Sequence, residues 1–388
     1  MQTLISLFKN NIREYGMIIA LVFIASLFWV LTDGISLNSL NLTNLILQNG
    51  FILVLAVGMV LVIITGNIDL SVGSVVAFVG AIAGVLMINN NVPVWIAVIL
   101  SLFVGALIGV WQGFWIAYIG IPSFIVTLAG MLIFRGLTLY LLDGQSLAPF
   151  PDAFGTFSGA FLPDIFGGEG IHIFSLVLSG IMSLVLVYLE FSKRKTQVQY
   201  NLEILPLWLI VAKLAILLFA INWFVYQLAT NKGIPMVLLI VIGLIIIYTF
   251  VMNNTVMGRY IYATGGNKKA ADLSGIKTKR VVFWVFVNNG VLAALAGLIF
   301  ASRLNSATPA AGNMLELDAI AAVFIGGASM AGGVGTVIGA IVGGLVMGVM
   351  NNGMSLISIG IDWQQFIKGM VLLFAVGFDV FNKNRAGK

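Results

Sequence analysis

The sequence of 388 residues has no cysteine and a single histidine, His172. The lack of cysteine excludes disulfide bonds, thiolate metal sites and cysteine nucleophiles. One histidine without a thiolate partner leaves too few ligands for a metal centre, so we expect no metal site. The chain also lacks a nucleophile with an obvious base, and we expect no catalytic residues.

Charged residues are scarce as well, at 9% of the chain, whereas apolar residues make up 60%. Between Gly34 and Phe134 the only charged side chain is that of Asp69. A stretch this long without a polar face cannot be the surface of a water-soluble domain, and it is typical of several helices in lipid. The composition therefore predicts an all-α, polytopic membrane protein.

Apolar runs of bilayer length predict about twelve transmembrane helices. Their predicted ranges are 15–33, 46–65, 70–88, 93–112, 121–142, 172–191, 203–229, 234–252, 280–301, 317–329, 333–350 and 362–382. The pair within 317–350 could include a re-entrant segment. Glycines at 335, 339, 343, 344 and 348 are spaced by one helical turn, which predicts close packing of two helix backbones in lipid.

Lysine and arginine are distributed unequally between the predicted loops. With the N-terminus inside, the outer loops hold Lys232 and Arg303. The inner loops hold Lys9, Arg13, Lys193, Arg194, Lys195, Arg259, Lys268, Lys269, Lys277, Lys279, Arg280, Lys383, Arg385 and Lys388. Cytoplasmic loops of membrane proteins carry this excess of positive charge, so we expect both termini in the cytoplasm.

No hydrophilic domain interrupts the spans, and residues 1–388 are predicted to form one transmembrane domain. Three segments stand out within it: an outer loop at 143–171, an inserted extra span at 192–232 and a cytoplasmic loop at 253–280. The outer loop is rich in Gly, Pro and Phe, which predicts a structured cap on the membrane. No Gly-x-x-x-x-Gly-Lys-Ser/Thr phosphate loop occurs, so the chain cannot hydrolyse ATP by that route.

The cytoplasmic loop has the pattern of a short helix. Asn267 is a suitable N-cap, residues 268–273 are expected to be helical, and Gly275 ends the helix. One interpretation is an ordinary anchoring loop. The other is a coupling helix that docks into a cytoplasmic partner, with small residues allowing close approach. The candidate coupling residues are Gly266, Asn267, Ala270, Ala271, Asp272, Ser274 and Gly275.

Asp69 lies in the motif Gly-Asn-Ile-Asp-Leu-Ser-Val-Gly at 66–73, at the predicted inner end of a span. A carboxylate beside a helix N-terminus is stabilised by free backbone N–H groups and by the helix dipole. We predict such a capping role for Asp69, and a gating or substrate role is the alternative. Ser71 and Gly73 belong to the same candidate motif.

Two cations in predicted spans need partners, because an isolated charge in lipid is costly. Arg135 is expected to pair with Asp318 or Asp143, with a contact to a substrate hydroxyl as the alternative. Lys368 could pair with Asp362 or Asp318.

Polar uncharged side chains in or beside the spans could line a path for a neutral solute. The candidates are Gln48, Asn49, Ser123, Thr127, Asn288 and Asn289. Each of them could equally be bonded to a neighbouring helix.

Four separated stretches resemble the signature segments of monosaccharide ABC-importer permeases, the class for ribose, xylose and galactose. They are residues 66–73, 122–136, 265–276 and 324–336. The likeness covers nearly the whole chain. It is closest to the xylose or multiple-monosaccharide subgroup because of residues 32–34, the extra region 192–232 and residues 351–355.

The resemblance implies a type II ABC-importer permease that pairs with a second copy of itself and passes the sugar between the two copies. A cytoplasmic ATPase, which binds ATP and magnesium, and a periplasmic or lipid-anchored sugar-binding protein would complete the importer. The chain itself would hold no cofactor and bind no nucleic acid. It would lie in lipid as part of the bacterial inner membrane.

An ion-coupled secondary sugar transporter is the alternative. Such transporters usually hold carboxylates near the bilayer midplane between broken helices. The predicted spans contain few acids at mid-span, which favours the ATP-driven importer.

Overall fold

The computed structural model describes residues 12–168, 170–200 and 206–386. These residues form fifteen α-helices, with no β-strand beyond isolated bridges among them. The helices are α1 (Ile12–Leu31), α2 (Ser39–Ile64), α3 (Val72–Gly84), α4 (Val94–Phe114), α5 (Ser123–Leu141), α6 (Asp152–Gly159), α7 (Ile173–Gln199), α8 (Leu207–Ala229), α9 (Met236–Asn254), α10 (Val256–Gly266), α11 (Lys268–Leu273), α12 (Thr278–Leu304), α13 (Leu315–Ile325), α14 (Val337–Leu356) and α15 (Ile361–Ala386). Lys9, Lys388 and the first residues of the predicted span 203–229 lie outside the described residues.

In the described part of the chain, nine helices are long and apolar enough to cross a membrane. They are α2, α3 with a π-helical extension to Asn89, α4 with a similar extension to Ile119, α5, α7, α8, α9, α12 and α14. The prediction of an all-α polytopic membrane protein is confirmed, but the count of about twelve spans is not. The predicted span 317–329 corresponds to α13, whose 11 residues give roughly 16 Å, too short for a hydrocarbon core of about 30 Å.

Helix α12 lies at the centre of the bundle and packs against α2, α3 and α4. Glycines make the closest of these contacts. A Cβ atom on Gly109 of α4 would lie 2.5 Å from the carbonyl oxygen of Phe286 on α12, and one on Gly290 would lie 2.3 Å from that of Gly105. Since no larger residue fits at these distances, the backbones of α4 and α12 touch directly.

The predicted close packing is confirmed for the glycines within α14, whereas Gly335 precedes the helix (φ 152°) and does not share its spacing. A Cβ atom on Gly339 would lie 2.2 Å from the carbonyl oxygen of Gly326, at the end of α13. One on Gly343 would lie 1.9 Å from the carbonyl oxygen of Ala322 within α13. Two further glycines of α14 lie against side chains of α2. Gly344 lies against Leu53, and Gly348 lies against Asn49.

The segment 143–171 is held against one end of the bundle, as expected for a structured cap. Leu147 and Ala307 exchange backbone hydrogen bonds of 2.9 Å. Ser302 of α12 donates its hydroxyl to the carbonyl oxygen of Phe154 at 2.7 Å. Further along, the Asp164 carboxylate accepts the N–H groups of Ile173 and Phe174, the first two residues of α7. Desolvation acts to raise the pKa of the Asp164 carboxyl, but these backbone donors and the nearby His172 outweigh it, so that pKa lies below its ordinary value.

The predicted inserted region 192–232 contains the end of α7 and all of α8. These two helices form a hairpin at the edge of the bundle, with most of their apolar surface exposed. Polar groups hold its two helices together. Lys213 of α8 lies 2.9 Å from the Glu190 carboxylate of α7, and Asn222 accepts a hydrogen bond of 2.7 Å from Ser179. These two contacts tie α7 directly to α8.

We expect Gly343→Ala to lower the free energy of unfolding by about 1–3 kcal/mol, the usual cost of forcing an extra carbon into a packed interior. The added Cβ would have to push α13 and α14 apart. The matched control is Gly243→Ala in α9, where a Cβ meets nothing within 4 Å. There the better helix propensity of alanine should stabilise the protein by up to about 1 kcal/mol. Thermal unfolding of both variants in detergent measures the difference, and equal midpoints would contradict the packing assignment.

Candidate functional site

A cluster of buried polar side chains surrounds Asp69, which is 2% exposed. One carboxylate oxygen accepts hydrogen bonds from the Ser71 N–H at 2.8 Å and from the Ser71 hydroxyl at 2.6 Å. The other accepts a bond of 2.8 Å from the side-chain amide of Asn289 on α12. Gln112 of α4 donates to the Ser71 hydroxyl oxygen at 2.6 Å. These four residues, the Asp69 cluster, tie the α2–α3 connection to α4 and α12.

The local sequence explains why the chain turns here. Helix α2 ends at Ile64, Gly66 takes a left-handed backbone conformation (φ 76°), and α3 begins at Val72. The carboxylate of Asp69 therefore lies at the N-terminus of α3, where it accepts the backbone N–H of Ser71. That N–H belongs to the N-cap residue rather than to the first turn of α3, where no side-chain capping bond is formed, so a capping role for Asp69 stays a prediction.

Helix α5 supports the same break. Ser123 accepts the N–H of Ile68 at 3.2 Å. The Thr127 hydroxyl lies 2.9 Å from the carbonyl oxygen of Ser123 and 3.4 Å from that of Ile68. Two of the six pathway candidates thus satisfy backbone groups that the helix break leaves free.

The N-terminus of α13 meets that of α3 beside this cluster. A Cβ atom on Gly73 would lie 2.3 Å from a Glu316 carboxylate oxygen and 2.3 Å from the carbonyl oxygen of Gly312. That Glu316 oxygen is buried and has no hydrogen-bond partner within the described residues. Glycine at position 73 is thus what leaves room for the Glu316 carboxylate against α3.

Arg135 binds neither of the acids expected for it. Its guanidinium donates to the carbonyl oxygens of Pro309 at 3.2 Å and Ala311 at 2.6 Å. The predicted ion pair with Asp318 or Asp143 is therefore wrong. The reason is tertiary, because the connection between α12 and α13 folds back onto α5 and offers its free carbonyl groups to the nearest donor.

Asp318 is paired instead with Lys368 of α15, whose ammonium lies 3.0 Å from the carboxylate. Of the two partners considered for Lys368, Asp318 is confirmed. Both Glu316 and Asp318 are buried inside the bundle, on a helix that is too short to span a membrane.

The other pathway candidates lie apart from the Asp69 cluster. Asn49 donates to the carbonyl oxygen of Leu45 within its own helix at 2.8 Å. Asn288 accepts the hydroxyl hydrogen bond of Tyr248 on α9. Gln48 is half-buried on α2. Only Ser123, Thr127 and Asn289 of the six contact the α2–α3 break.

Glycines from three of the signature segments meet at the C-terminal end of α2. The Gly333 N–H donates to the carbonyl oxygen of Ile64 at 2.8 Å. A Cβ atom on Gly265 would lie 1.6 Å from that same oxygen, and one on Gly332 would lie 3.1 Å from the backbone nitrogen of Gly66. We call Gly66, Gly265, Gly332 and Gly333 the glycine junction. It joins the loop 253–280 directly to the helix break that carries Asp69.

The short helix expected in the cytoplasmic loop is present as α11. Asn267 caps it by accepting the Ala270 N–H at 3.0 Å, and Gly275 follows it in a left-handed conformation (φ 84°). The Ser274 hydroxyl donates to the carbonyl oxygen of Ala270 at 2.9 Å. Asp272 accepts a 2.6 Å hydrogen bond from the hydroxyl of Thr278, the first residue of α12.

The exposed surface of α11 differs from the one expected. Ala271 is buried against its own chain, whereas Leu273 is 90% exposed. The expectation that Ala271 faces a docking partner is therefore wrong, because α11 turns this residue inward onto the bundle. Gly266, Asn267, Ala270, Asp272, Ser274 and Gly275 are exposed.

Sequence reasoning missed three residues of these sites: Gln112, Glu316 and Leu273. A weak signal existed for two of them. Gln112 is a lone amide in an apolar helix, and Glu316 stands two residues before Asp318 in a stretch that is otherwise apolar. Leu273 gave no signal, because an apolar residue in an apolar chain is unremarkable until its exposure is known. Among the described residues, no group of three or more His, Cys, Asp or Glu side chains could hold a metal ion.

Comparison with known proteins gives a consistent result. The family described as branched-chain amino acid transport system / permease component matches residues 41–376. The chain is 39% identical to the xylose transport system permease protein XylH of Haemophilus influenzae, over 97% of this chain and 98% of that protein. It is 38% identical to XylH of Escherichia coli K12, over 97% of this chain and 94% of that protein.

A more distant relative is the ribose import permease protein RbsC of Haemophilus influenzae, at 32% identity over 94% of this chain and 92% of that protein. No solved structure matches the chain.

We expect the substitutions Asp69→Ala and Asn289→Ala to be energetically coupled, because the two side chains share a buried hydrogen bond. A double-mutant cycle on unfolding in mixed detergent micelles should give a coupling energy of about 0.5–3 kcal/mol. The control cycle combines Asp69→Ala with Asn222→Ala in the α7–α8 hairpin, whose effects should add. Additive effects of Asp69→Ala and Asn289→Ala would show that the contact does not stabilise the fold.

Proposed function

The chain belongs to the family of transport-system permease components, and from this premise we propose that it forms the membrane pathway of an ATP-driven importer for a monosaccharide. As a permease component it is not itself catalytic, and ATP hydrolysis is the task of a separate chain. The observation that carries the proposal is the similarity to two sugar-transport permeases over 97% of the chain. A similarity of this extent includes every helix that positions the Asp69 cluster and the glycine junction.

Xylose is the substrate we propose first. The relatives named for xylose transport are 38–39% identical to the chain, and those named for ribose import are 32–34% identical. A neutral sugar also suits the bundle interior, because its buried polar side chains include amides and hydroxyls as well as charged groups. Ribose is the second candidate.

We propose that α11 is the contact with the cytoplasmic ATPase. Leu273 is 90% exposed and is flanked by the exposed Lys268, Lys269 and Asp272. An exposed leucine with a charged rim has the composition of a small docking surface, in which an apolar anchor enters a pocket and polar groups surround it.

A contiguous set of bonds connects this surface to the helix break. Asp272 is bonded to Thr278 at the start of α12, and Asn289 of α12 is bonded to Asp69. Displacement of α11 by an ATPase would therefore act on α12 and through it on the α2–α3 connection. Rigid-body movement of packed helices is the usual means of such transmission.

The remaining features of the proposal follow from this function. The chain lies in the bacterial inner membrane with both termini in the cytoplasm, so that α11 faces the ATPase and the segment 143–171 faces a periplasmic or lipid-anchored binding protein. Two copies form a homodimer with the sugar path between them. ATP and magnesium are bound by the ATPase.

The first experiment measures ATP hydrolysis and sugar uptake by the chain reconstituted in liposomes with its ATPase and binding protein. We expect xylose-loaded binding protein to stimulate hydrolysis and ATP-dependent uptake, and ribose to do so less. Collapse of the proton and sodium gradients should leave uptake unchanged. Uptake that follows an ion gradient without ATP would overturn the proposal.

A second experiment tests the ATPase contact. We expect Leu273→Glu to abolish stimulation of ATP hydrolysis, because a charge would replace the apolar anchor of the docking surface. The control is Val198→Glu, which introduces the same charge at an exposed position near the C-terminal end of α7 and should retain stimulation. Normal stimulation of the Leu273→Glu variant would exclude α11 as the contact.

A further inference from the structure

A cavity of about 310 Å³ lies between α13, α14 and α15, apart from the Asp69 cluster. Its volume is at the lower end of the range of about 300–1,000 Å³ for small-molecule pockets. Asn313 and Met314, which precede α13, lie on its wall. Ala307 in the same connection is bonded to Leu147 of the segment 143–171. The cavity therefore lies towards the end of the bundle that carries this segment.

The charged groups of the cavity wall neutralise each other. The Lys368 ammonium lies 3.0 Å from one oxygen of the Asp318 carboxylate and 3.1 Å from the other. Both side chains line the cavity. An ammonium has three N–H donors and a carboxylate has about four acceptor positions, so donors and acceptors remain for a third group. A wall without net charge does not select an ion, but it can bind a neutral molecule that both donates and accepts hydrogen bonds.

Amide side chains extend this hydrogen-bonding capacity. Gln364 donates to the carbonyl oxygen of Ile359 at 2.8 Å, which fixes its orientation and leaves its side-chain oxygen as an acceptor. Gln365 and Asn313 also line the cavity and are exposed. Three amides beside an ion pair place donors and acceptors on the wall, in the mixture that a polyhydroxylated ligand requires.

The rest of the wall is apolar. Leu317 and Ile361 are 40% and 73% exposed, and both face the cavity together with Met347 of α14. A monosaccharide ring presents C–H groups between its hydroxyls, so it matches a wall that combines apolar side chains with a few fixed polar groups.

We propose that this cavity is a binding subsite for a neutral monosaccharide, in which the Lys368–Asp318 pair and Gln365 bind its hydroxyls. The subsite would receive the sugar at the end of the bundle where the binding protein docks. The proposal rests on the proposed function, since the sugar class comes from the transport role. It adds a site within one copy of the chain, on α13 and α15, that the predicted pathway residues do not include.

The test is direct binding of xylose to the full-length chain in lipid nanodiscs without ATPase or binding protein, by saturation-transfer NMR. We expect transfer to xylose protons in the wild type. Gln365→Leu should raise the dissociation constant about 3- to 10-fold, the effect of one lost hydrogen bond. Gln365 is exposed, so this change does not disturb the packed interior. The matched control, Gln227→Leu near the end of α8, removes an amide remote from the cavity and should bind xylose like the wild type.

A second variant tests the ion pair. The combined change Asp318→Asn and Lys368→Gln replaces both charges and leaves no unpaired ion, and it should also weaken xylose binding. Absence of transfer in the wild type, or equal dissociation constants for wild type and Gln365→Leu, would overturn the subsite.

The outcome is separable from that of the proposed function. ATP-dependent uptake by the complete transporter without xylose binding in nanodiscs refutes the subsite alone. Failure of the complete transporter to take up any sugar refutes the proposed function.

Discussion

Every backbone N–H and C=O group inside a membrane protein must find a partner within the protein, because lipid offers none. This constraint governs the two helix breaks at 65–71 and 305–314. Ser123 accepts the Ile68 N–H at the first break. Arg135 donates to the carbonyl oxygens of Pro309 and Ala311 at the second. Buried polar and charged side chains are therefore what allow the breaks to exist, and each of them also ties two helices together.

Glycine residues have a second role, which is to let helix backbones approach each other closely. At the glycine junction and along the α4–α12 and α13–α14 contacts, backbones approach so closely that a Cβ atom would overlap a carbonyl oxygen. Close approach replaces the hydrophobic effect, which is weak between helices already surrounded by lipid. Tight packing also makes the bundle stiff. The coupling role proposed for α11 depends on this stiffness, because a stiff bundle would pass a displacement at α11 on to α12.

The sequence predicted the membrane class, the α11 helix with its Asn267 cap and the close packing of the α14 glycines. Each of these follows from local composition or short spacing. It did not predict the partner of Arg135, the inward orientation of Ala271 or the short length of α13. Those features depend on which elements lie next to each other in space, and several acids in the chain were equally plausible partners for one arginine.

The sequence by itself determined that the chain is a bundle of apolar, membrane-spanning helices and that four of its segments resemble the signature segments of a permease family. The scarcity of charged residues and the helical spacing of glycines are properties of single segments, so they are visible in the sequence. Only the tertiary structure decided that glycines from three of those segments meet at Ile64, and that Asp318 and Lys368 form an ion pair in the wall of a cavity. Such contacts join residues distant in sequence, and their free energy depends on burial and distance, which arise only when the helices pack.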